Sequence, residues 1–283
     1  MTVEWPRVMP ALVTAMSDTR EIDVAAHVAN VGVAVDQGAQ GVLIGGSTGE
    51  GPYLELGERS KLITSTREAF PGLVIIAGVF AESLRQAERQ LCEAADAEAD
   101  ALLVVTPTTL VRGRREWIVD YFESVADMSP LPVFLYTVPK VTGYELPCES
   151  VAELAGHHNI IGMKDSGGDI TRLDAISRIM DESFHVYAGS SRVLSDSVAR
   201  GAHGAITASA NYAFTTVSQA VGGDPEAQDR LATLAAAVEP HGVPGTKYAA
   251  SLTGMNPGPA RLPLQGLDGA AQEAVREALG LAT

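Results

Sequence analysis

The stretch LVIIAGVFAESLRQAERQLCEAADAEADALLVVTP, residues 73–107, holds one complete strand, helix and strand. Its two ends, LVIIAGVFA (73–81) and ALLVVTP (101–107), are continuous apolar runs rich in Val, Ile and Leu. Runs of this length and make read as strands buried on both faces, as in a parallel sheet covered by helices. The middle, SLRQAERQLCEAADA (83–97), spaces its apolar residues with helical period and reads as an amphipathic helix.

The same beat extends in both directions. Further apolar runs occur at VMPALVTAM (8–16), GVLIGG (41–46), PVFLYTVP (132–139), IIGMK (160–164), HVYAGS (185–190) and GAITASA (204–210), with helical stretches at ERSKLITSTREAF (58–70) and REWIVDYFESVADM (115–128). Eight strands at roughly 20 to 33 residues per step fit βα units, and the predicted fold is α/β, a (β/α)8 TIM barrel. A doubly wound open sheet gives the same alternation, but its GxGxxG after the first strand is missing. Beyond residue 211 the chain turns helical, with PEAQDRLATLAAAVEP (225–240) and GAAQEAVREALGL (269–281) flanking a Pro/Gly-rich segment, NPGPARLPLQG (256–266). No linker composition separates these parts, so residues 1–283 read as one domain: a barrel over 1–222 and a C-terminal helical extension over 223–283.

Composition narrows the function. A length of 283 residues with 46% hydrophobic content suffices for a sizeable core, and a net charge of −15 argues against nucleic acid or an anionic membrane as partner, since both require a basic footprint. A small anionic substrate is still compatible, because local groups can attract it. The two cysteines, Cys92 and Cys148, form no CxxC and no His/Cys cluster, which points away from a metal site or a disulfide framework and fits a reducing cytoplasm. No apolar run approaches the ~20 residues of a membrane span, and the expected location is cytoplasmic.

Barrel enzymes carry their active sites at the C-terminal ends of the strands. Those ends here are small and polar: Ser47 to Glu50, Thr106 to Thr109, Tyr136 to Pro139, Lys164 and Asp165, Gly189 to Arg192, and Ser209 to Asn211. Four lysines, at 61, 140, 164 and 247, stand against sixteen arginines, and Lys164 alone closes an apolar strand. Arginine keeps its proton at working pH, whereas a desolvated lysine can act as a neutral amine and attack a carbonyl to form a Schiff base. The competing reading is a lysine that snorkels from the strand end or pairs with Asp165. Tyr136 closes the preceding strand, and at the ~4.8 Å spacing of paired strands its phenol reaches the same mouth, either as a proton shuttle or as a packed ring. GGSTGEGP (45–52) is a Gly-rich turn whose N–H groups and Ser47 and Thr48 hydroxyls suit an anion, without the GKS or GKT of a P-loop. Taken alone it also fits a plain turn.

Together these residues resemble the dihydrodipicolinate synthase and N-acetylneuraminate lyase family of class I aldolases. The resemblance runs through PALVTAM, GGSTGE, TPTT, YTVPKVTG, GMKDS, YAGSS, GAITASAN and GTKYAASLTGMNPGPARLPL, in the family's order. It implies that Lys164 forms the Schiff base with the ketone of pyruvate or another 2-keto acid, that Tyr136 is the catalytic tyrosine, and that Ser47 and Thr48 hold the carboxylate, Thr48 with a catalytic share. Gly49, Gly189 and Thr207 would line the keto-acid site, and Thr109, Val141 and Arg192 would face the rest of the substrate. The resemblance further implies that no metal or organic cofactor is needed, that an aldehyde is the second reactant, and that the chain forms a homo-oligomer, a dimer or tetramer, through the region after strand four.

Three departures bear on the substrate. Thr108 and Thr109 stand where the synthase has a tyrosine pair, Val141 stands where it has a carboxylate-binding arginine, and Ser191 and Arg192 stand where the sialic-acid lyase has an acidic pair. The expected activity is therefore a pyruvate-dependent aldolase, a carbon–carbon lyase, that is neither a true dihydrodipicolinate synthase nor a neuraminate lyase. A dehydratase of 2-keto-3-deoxy sugar acids using the same lysine, and a catalytically impaired keto-acid-binding protein, are the alternatives. Arg192, Arg112, Arg114 and Arg115 are candidates for binding an acidic tail, and Tyr53 and Trp117 for an aromatic acceptor pocket.

Overall fold

Each apolar run forms a strand of one parallel sheet: β1 (Val8–Pro10), β2 (Gly41–Ile44), β3 (Val74–Val79), β4 (Ala101–Val105), β5 (Val133–Thr137), β6 (Ile160–Asp165), β7 (His185–Ala188) and β8 (Gly204–Thr207). The computed structural model describes residues 3–111, 113–181 and 183–281. Ladders run in the order β1-β8-β7-β6-β5-β4-β3-β2. The ends meet where Ala11 bridges Leu43 and the Leu12 N–H donates to Leu43 O at 2.9 Å, so the sheet closes into the (β/α)8 barrel.

Helices fill the steps between strands: α1 (Val24–Asp36), α2 (Glu58–Ala69), α3 (Leu84–Asp96), α4 (Arg115–Met128), α5 (Pro139–Thr142), α6 (Cys148–Leu154), α7 (Ile170–Ile176), α8 (Leu194–Ala199) and α9 (Phe214–Val221). The extension supplies α10 (Pro225–Val238), α11 (Gly242–Leu252) and α12 (Gly269–Ala278). The step quoted above shows why. Ser83 caps α3 by accepting from Gln86 N–H, and Ala87, Leu91 and Ala94, spaced four and three apart, form its buried stripe. None of the described helices is long and apolar enough to cross a membrane.

Several strands are shorter than their apolar runs. The first run was expected to be extended over 8–16, but β1 ends at Pro10, which has no N–H to donate. Past Leu12 the chain leaves the ladder, with Val13 N–H donating to the Asn211 side-chain oxygen at 3.0 Å and Met16 N–H to Pro257 O at 3.0 Å. The eighth run likewise stops at Thr207, and Ser209–Asn211 winds into one 3₁₀ turn.

Side chains alternate between two cores. Met9, Leu43, Ile76, Leu103, Phe134, Tyr136, Tyr187 and Ile206 fill the barrel, while Val42, Ile75, Leu102, Val133, Leu135, Met163, Val186 and Ala205 pack against the helices. The β5–β6 ladder carries one irregularity that matters for this alternation. Val133 pairs with Ile160, but Phe134 pairs with Gly162, so Ile161 is an extra residue on β6. The slip brings Lys164 opposite Tyr136, on the interior face; in a regular ladder Lys164 would oppose Thr137 and face the helices. Gly162 permits it, because a Cβ there would lie 2.1 Å from His185 O and 2.8 Å from the Phe134 ring.

Gly162→Ala must therefore displace the Phe134 ring or the β7 backbone. We expect it to lower stability by about 1–3 kcal/mol, as overpacking does, in denaturant unfolding at unchanged m value.

Candidate active site

Lys164 is 3% exposed and sits on the interior face of β6 between Tyr136 on β5 and Tyr187 on β7. Its Nζ lies 4.7 Å from the centroid of the Tyr136 ring. Among the described residues no carboxylate lies within ion-pair range of that amine. Asp165, the partner that the competing reading requires, faces the other way: its Oδ2 accepts from Arg172 Nε at 2.6 Å and its Oδ1 from Gly167 N–H at 2.8 Å. Arg172 also donates to Leu146 O, so the Asp165–Arg172 pair ties the end of β6 to the chain leading into α6. The lysine is thus held by a ring face and by packing, with no counter-charge in contact, as suits an amine that is to react.

Tyr136 is 2% exposed, and its hydroxyl is 3.0 Å from Ser47 Oγ. Thr106 fixes the end of its strand, its hydroxyl donating to Tyr136 O at 3.1 Å. The phenol therefore stands between the lysine and the Gly-rich turn after β2, where it can pass a proton between a group on Lys164 and Ser47.

That turn is folded tightly. Glu50 N–H donates to Ser47 O, Gly51 N–H to Gly46 O, and the Thr14 hydroxyl to Gly49 O at 2.6 Å. Glycine is required at 49 and 51, where a Cβ would come within 2.8 Å of Leu12 O and 2.0 Å of Gly45 O respectively. Thr48 is half-buried, and among the described residues its N–H and that of Gly49 make no hydrogen bond. Two adjacent free N–H groups with two hydroxyls are suited to receive a carboxylate.

The remaining expected residues divide. Gly189 is brought to the lysine: a Cβ there would lie 3.0 Å from Lys164 Cε and 2.0 Å from Ser166 Oγ. Thr207 is not. Its neighbours Ala205 and Ile206 pack outside and inside the barrel, which puts Thr207 on the helix side, and its hydroxyl accepts from Ser209 Oγ at 3.0 Å. Thr109 is exposed, and its N–H and that of Thr108 are gathered on the Glu82 carboxylate at 2.8 and 3.0 Å. Those bonds hold the Glu82 carboxyl below the usual range against the opposing effect of burial. Val141 is 62% exposed and lines, with Thr106 and Glu82, a cleft of about 680 Å³ beside the mouth. Arg192 is half-exposed and lies 3.5 Å from Glu239, so its charge is already engaged.

Arg114 stacks over Trp117 at 4.8 Å, Arg115 pairs with Glu153, and Arg112 lies outside the described residues. No group of three or more His, Cys, Asp or Glu able to hold a metal occurs among the described residues. Sequence reading gave no role to Glu82 or Arg172, and it named Glu50 and Lys247 without pairing them, since the two lie far apart in the chain.

The geometry gives the Tyr136 ring and its hydroxyl separate contacts, the ring with Lys164 Nζ and the hydroxyl with Ser47. Tyr136→Phe keeps the ring and removes the hydroxyl; we expect the initial rate of imine formation with pyruvate, read by timed borohydride trapping, to fall by about 10²–10⁴, as loss of a general acid does.

Residues 4–282 match the sequence signature described as "Dihydrodipicolinate synthetase family". The 4-hydroxy-tetrahydrodipicolinate synthase of Methanosphaerula palustris is 32% identical over 286 residues, spanning 96% of this chain and 97% of that protein. The enzyme of the same name from Nitrosococcus oceani is 33% identical over 282 residues, 96% of each chain. Among solved structures, a chloride-inhibited dihydrodipicolinate synthase from Acinetobacter baumannii, determined in complex with pyruvate, superposes with a TM-score of 0.90 at 28% identity, covering 96% of this chain and 97% of that one.

Proposed function

The chain belongs to the dihydrodipicolinate synthetase family, and from that premise we propose that it is a Schiff-base aldolase in which Lys164 captures the ketone of pyruvate. Enzymes of this family are carbon–carbon lyases of the aldolase type that use pyruvate and need no external cofactor. The observation that carries the reading is the buried Lys164 amine, which has no carboxylate within ion-pair range among the described residues and lies against Tyr136, itself bonded to Ser47.

In this reading Lys164 Nζ adds to C2 of the keto acid. The carbinolamine loses its hydroxyl as water with a proton supplied by Tyr136, and the protonated imine remains. In cleavage, the Tyr136 phenolate left by that step takes the proton of the C4 hydroxyl, the C3–C4 bond breaks, and its electrons pass into the iminium to leave an enamine and an aldehyde. Condensation is the reverse. Ser47 and Thr48, with the N–H groups of Thr48 and Gly49, hold the carboxylate, and Gly189 leaves room for the imine beside Lys164.

The substrate beyond C3 is read from the departures. Val141 offers no guanidinium to a distal carboxylate, and Thr109 carries no phenol for a relay, which favours a hydroxylated 2-keto acid over the synthase reaction of the named relatives. Exposed Leu56, Leu110 and Val141, at 83%, 86% and 62%, support a homo-oligomer assembled through the loops around the mouth. The two free cysteines, Cys92 and Cys148, suit a reducing cytoplasm.

Borohydride reduction in the presence of pyruvate should leave a reduced pyruvyl-lysine on the peptide containing Lys164, and none in Lys164→Ala. Incubation with 4-hydroxy-2-keto acids should then release pyruvate and an aldehyde. Loss of water without carbon–carbon cleavage would assign the dehydratase reaction instead, and no adduct with any 2-keto acid would exclude both.

A further inference from the structure

Glu50 ends the Gly-rich turn in the left-handed region, at φ 57°, a conformation that a glycine would adopt at no steric cost. A glutamate here calls for a reason, and its side chain supplies one. The carboxylate is fully buried, with Oε1 2.6 Å from Lys247 Nζ on α11 and Oε2 accepting from Arg261 N–H at 2.6 Å. Lys247 is 3% exposed and donates its other bond to Pro259 O at 2.7 Å. Burial pushes the Lys247 amine below its ordinary range and the Glu50 charge pulls it back up, so that each charge is needed by the other.

A second pair reinforces the first. The Arg261 guanidinium bonds both oxygens of Glu58 at 2.6 and 2.8 Å and donates to Tyr53 O and Arg20 O. Glu58 opens α2, whose N-terminus follows the turn, and those bonds hold its carboxyl below the usual range. The segment 256–261 is itself anchored to the chain after β1 and to α1, with Pro257 O accepting from Met16 N–H and Asn256 exchanging bonds with Asn30. The turn that carries Ser47 and Thr48 is thus gripped at its far end by residues some 200 positions later in the chain.

We propose that Glu50, Lys247 and Arg261 form a buried clamp through which the C-terminal extension positions Ser47 and Thr48 for the substrate carboxylate. None of the three reaches the reacting atoms; they are positioning residues, and their effect rests on the carboxylate-binding role given to the turn above. A clamp of this kind acts on carboxylate-bearing ketones and leaves capture of a carboxylate-free ketone by Lys164 untouched.

The test uses the full chain with Glu50→Gln/Lys247→Met, which removes both charges without stranding either, and Lys247→Met alone as the harsher variant. Borohydride trapping is titrated with pyruvate and with acetone. In the double variant we expect the pyruvate concentration for half-maximal trapping to rise at least about tenfold while that for acetone moves less than about twofold, as loss of charged hydrogen bonds to one ligand group predicts. Unchanged pyruvate dependence would overturn the clamp, and so would equal losses for both ketones, which mark general damage. If the wild-type protein traps neither ketone, the Lys164 reading has failed by itself. Hydrogen exchange then decides the clamp: faster exchange across 45–52 in the double variant supports it, and unchanged exchange overturns it.

Discussion

In a parallel ladder, successive side chains alternate between the barrel interior and the helix layer, so a slip of one residue exchanges every face beyond it. The extra residue at Ile161 is such a slip. It turns Gly162 and Lys164 inward and sends Met163 and Asp165 outward. Everything proposed for the site follows from that exchange. Asp165 is delivered to Arg172, on the helix side, and Lys164 is delivered to the barrel interior, against the face of the Tyr136 ring.

The separation of Lys164 from Asp165 has a chemical consequence. Adjacent in sequence, the two could neutralise one another, and the lysine would then be a structural cation. Placed on opposite faces, the acid finds a permanent partner in an arginine that cannot lose its proton, and the amine is left open to the carbonyl capture proposed for it. Tyr136 completes the arrangement, its ring against the amine and its hydroxyl on Ser47 in the turn after β2. That turn is assembled from glycines that let backbone approach backbone, and it is secured from outside by the buried Glu50–Lys247 pair.

Much of this was legible in the sequence. Eight apolar runs alternating with helical stretches are the imprint of a sheet buried on both faces, and the chemistry-bearing residues at the ends of those runs gave Lys164, Tyr136, Ser47 and Thr48. Yet a run that is apolar throughout does not record which residue faces which side. IIGMK reads the same in either register, so the slip at Ile161 was hidden, and in GAIT the small residues likewise concealed that Thr207 turns outward. The short helices α5 to α8 have too few turns to show a period. The clamp was out of reach for another reason: Glu50 and Lys247 are joined only by the fold, and nothing in the local sequence of either names the other.

The most direct measurement of the central claim is a crystal structure after soaking with pyruvate. The account predicts continuous density between Lys164 Nζ and C2 of the ligand, with the carboxylate within hydrogen-bond distance of Ser47 and Thr48 and the Tyr136 hydroxyl beside the former carbonyl oxygen. Pyruvate bound without a bond to Lys164, or bonded there with its carboxylate turned away from the 47–49 turn, would contradict it.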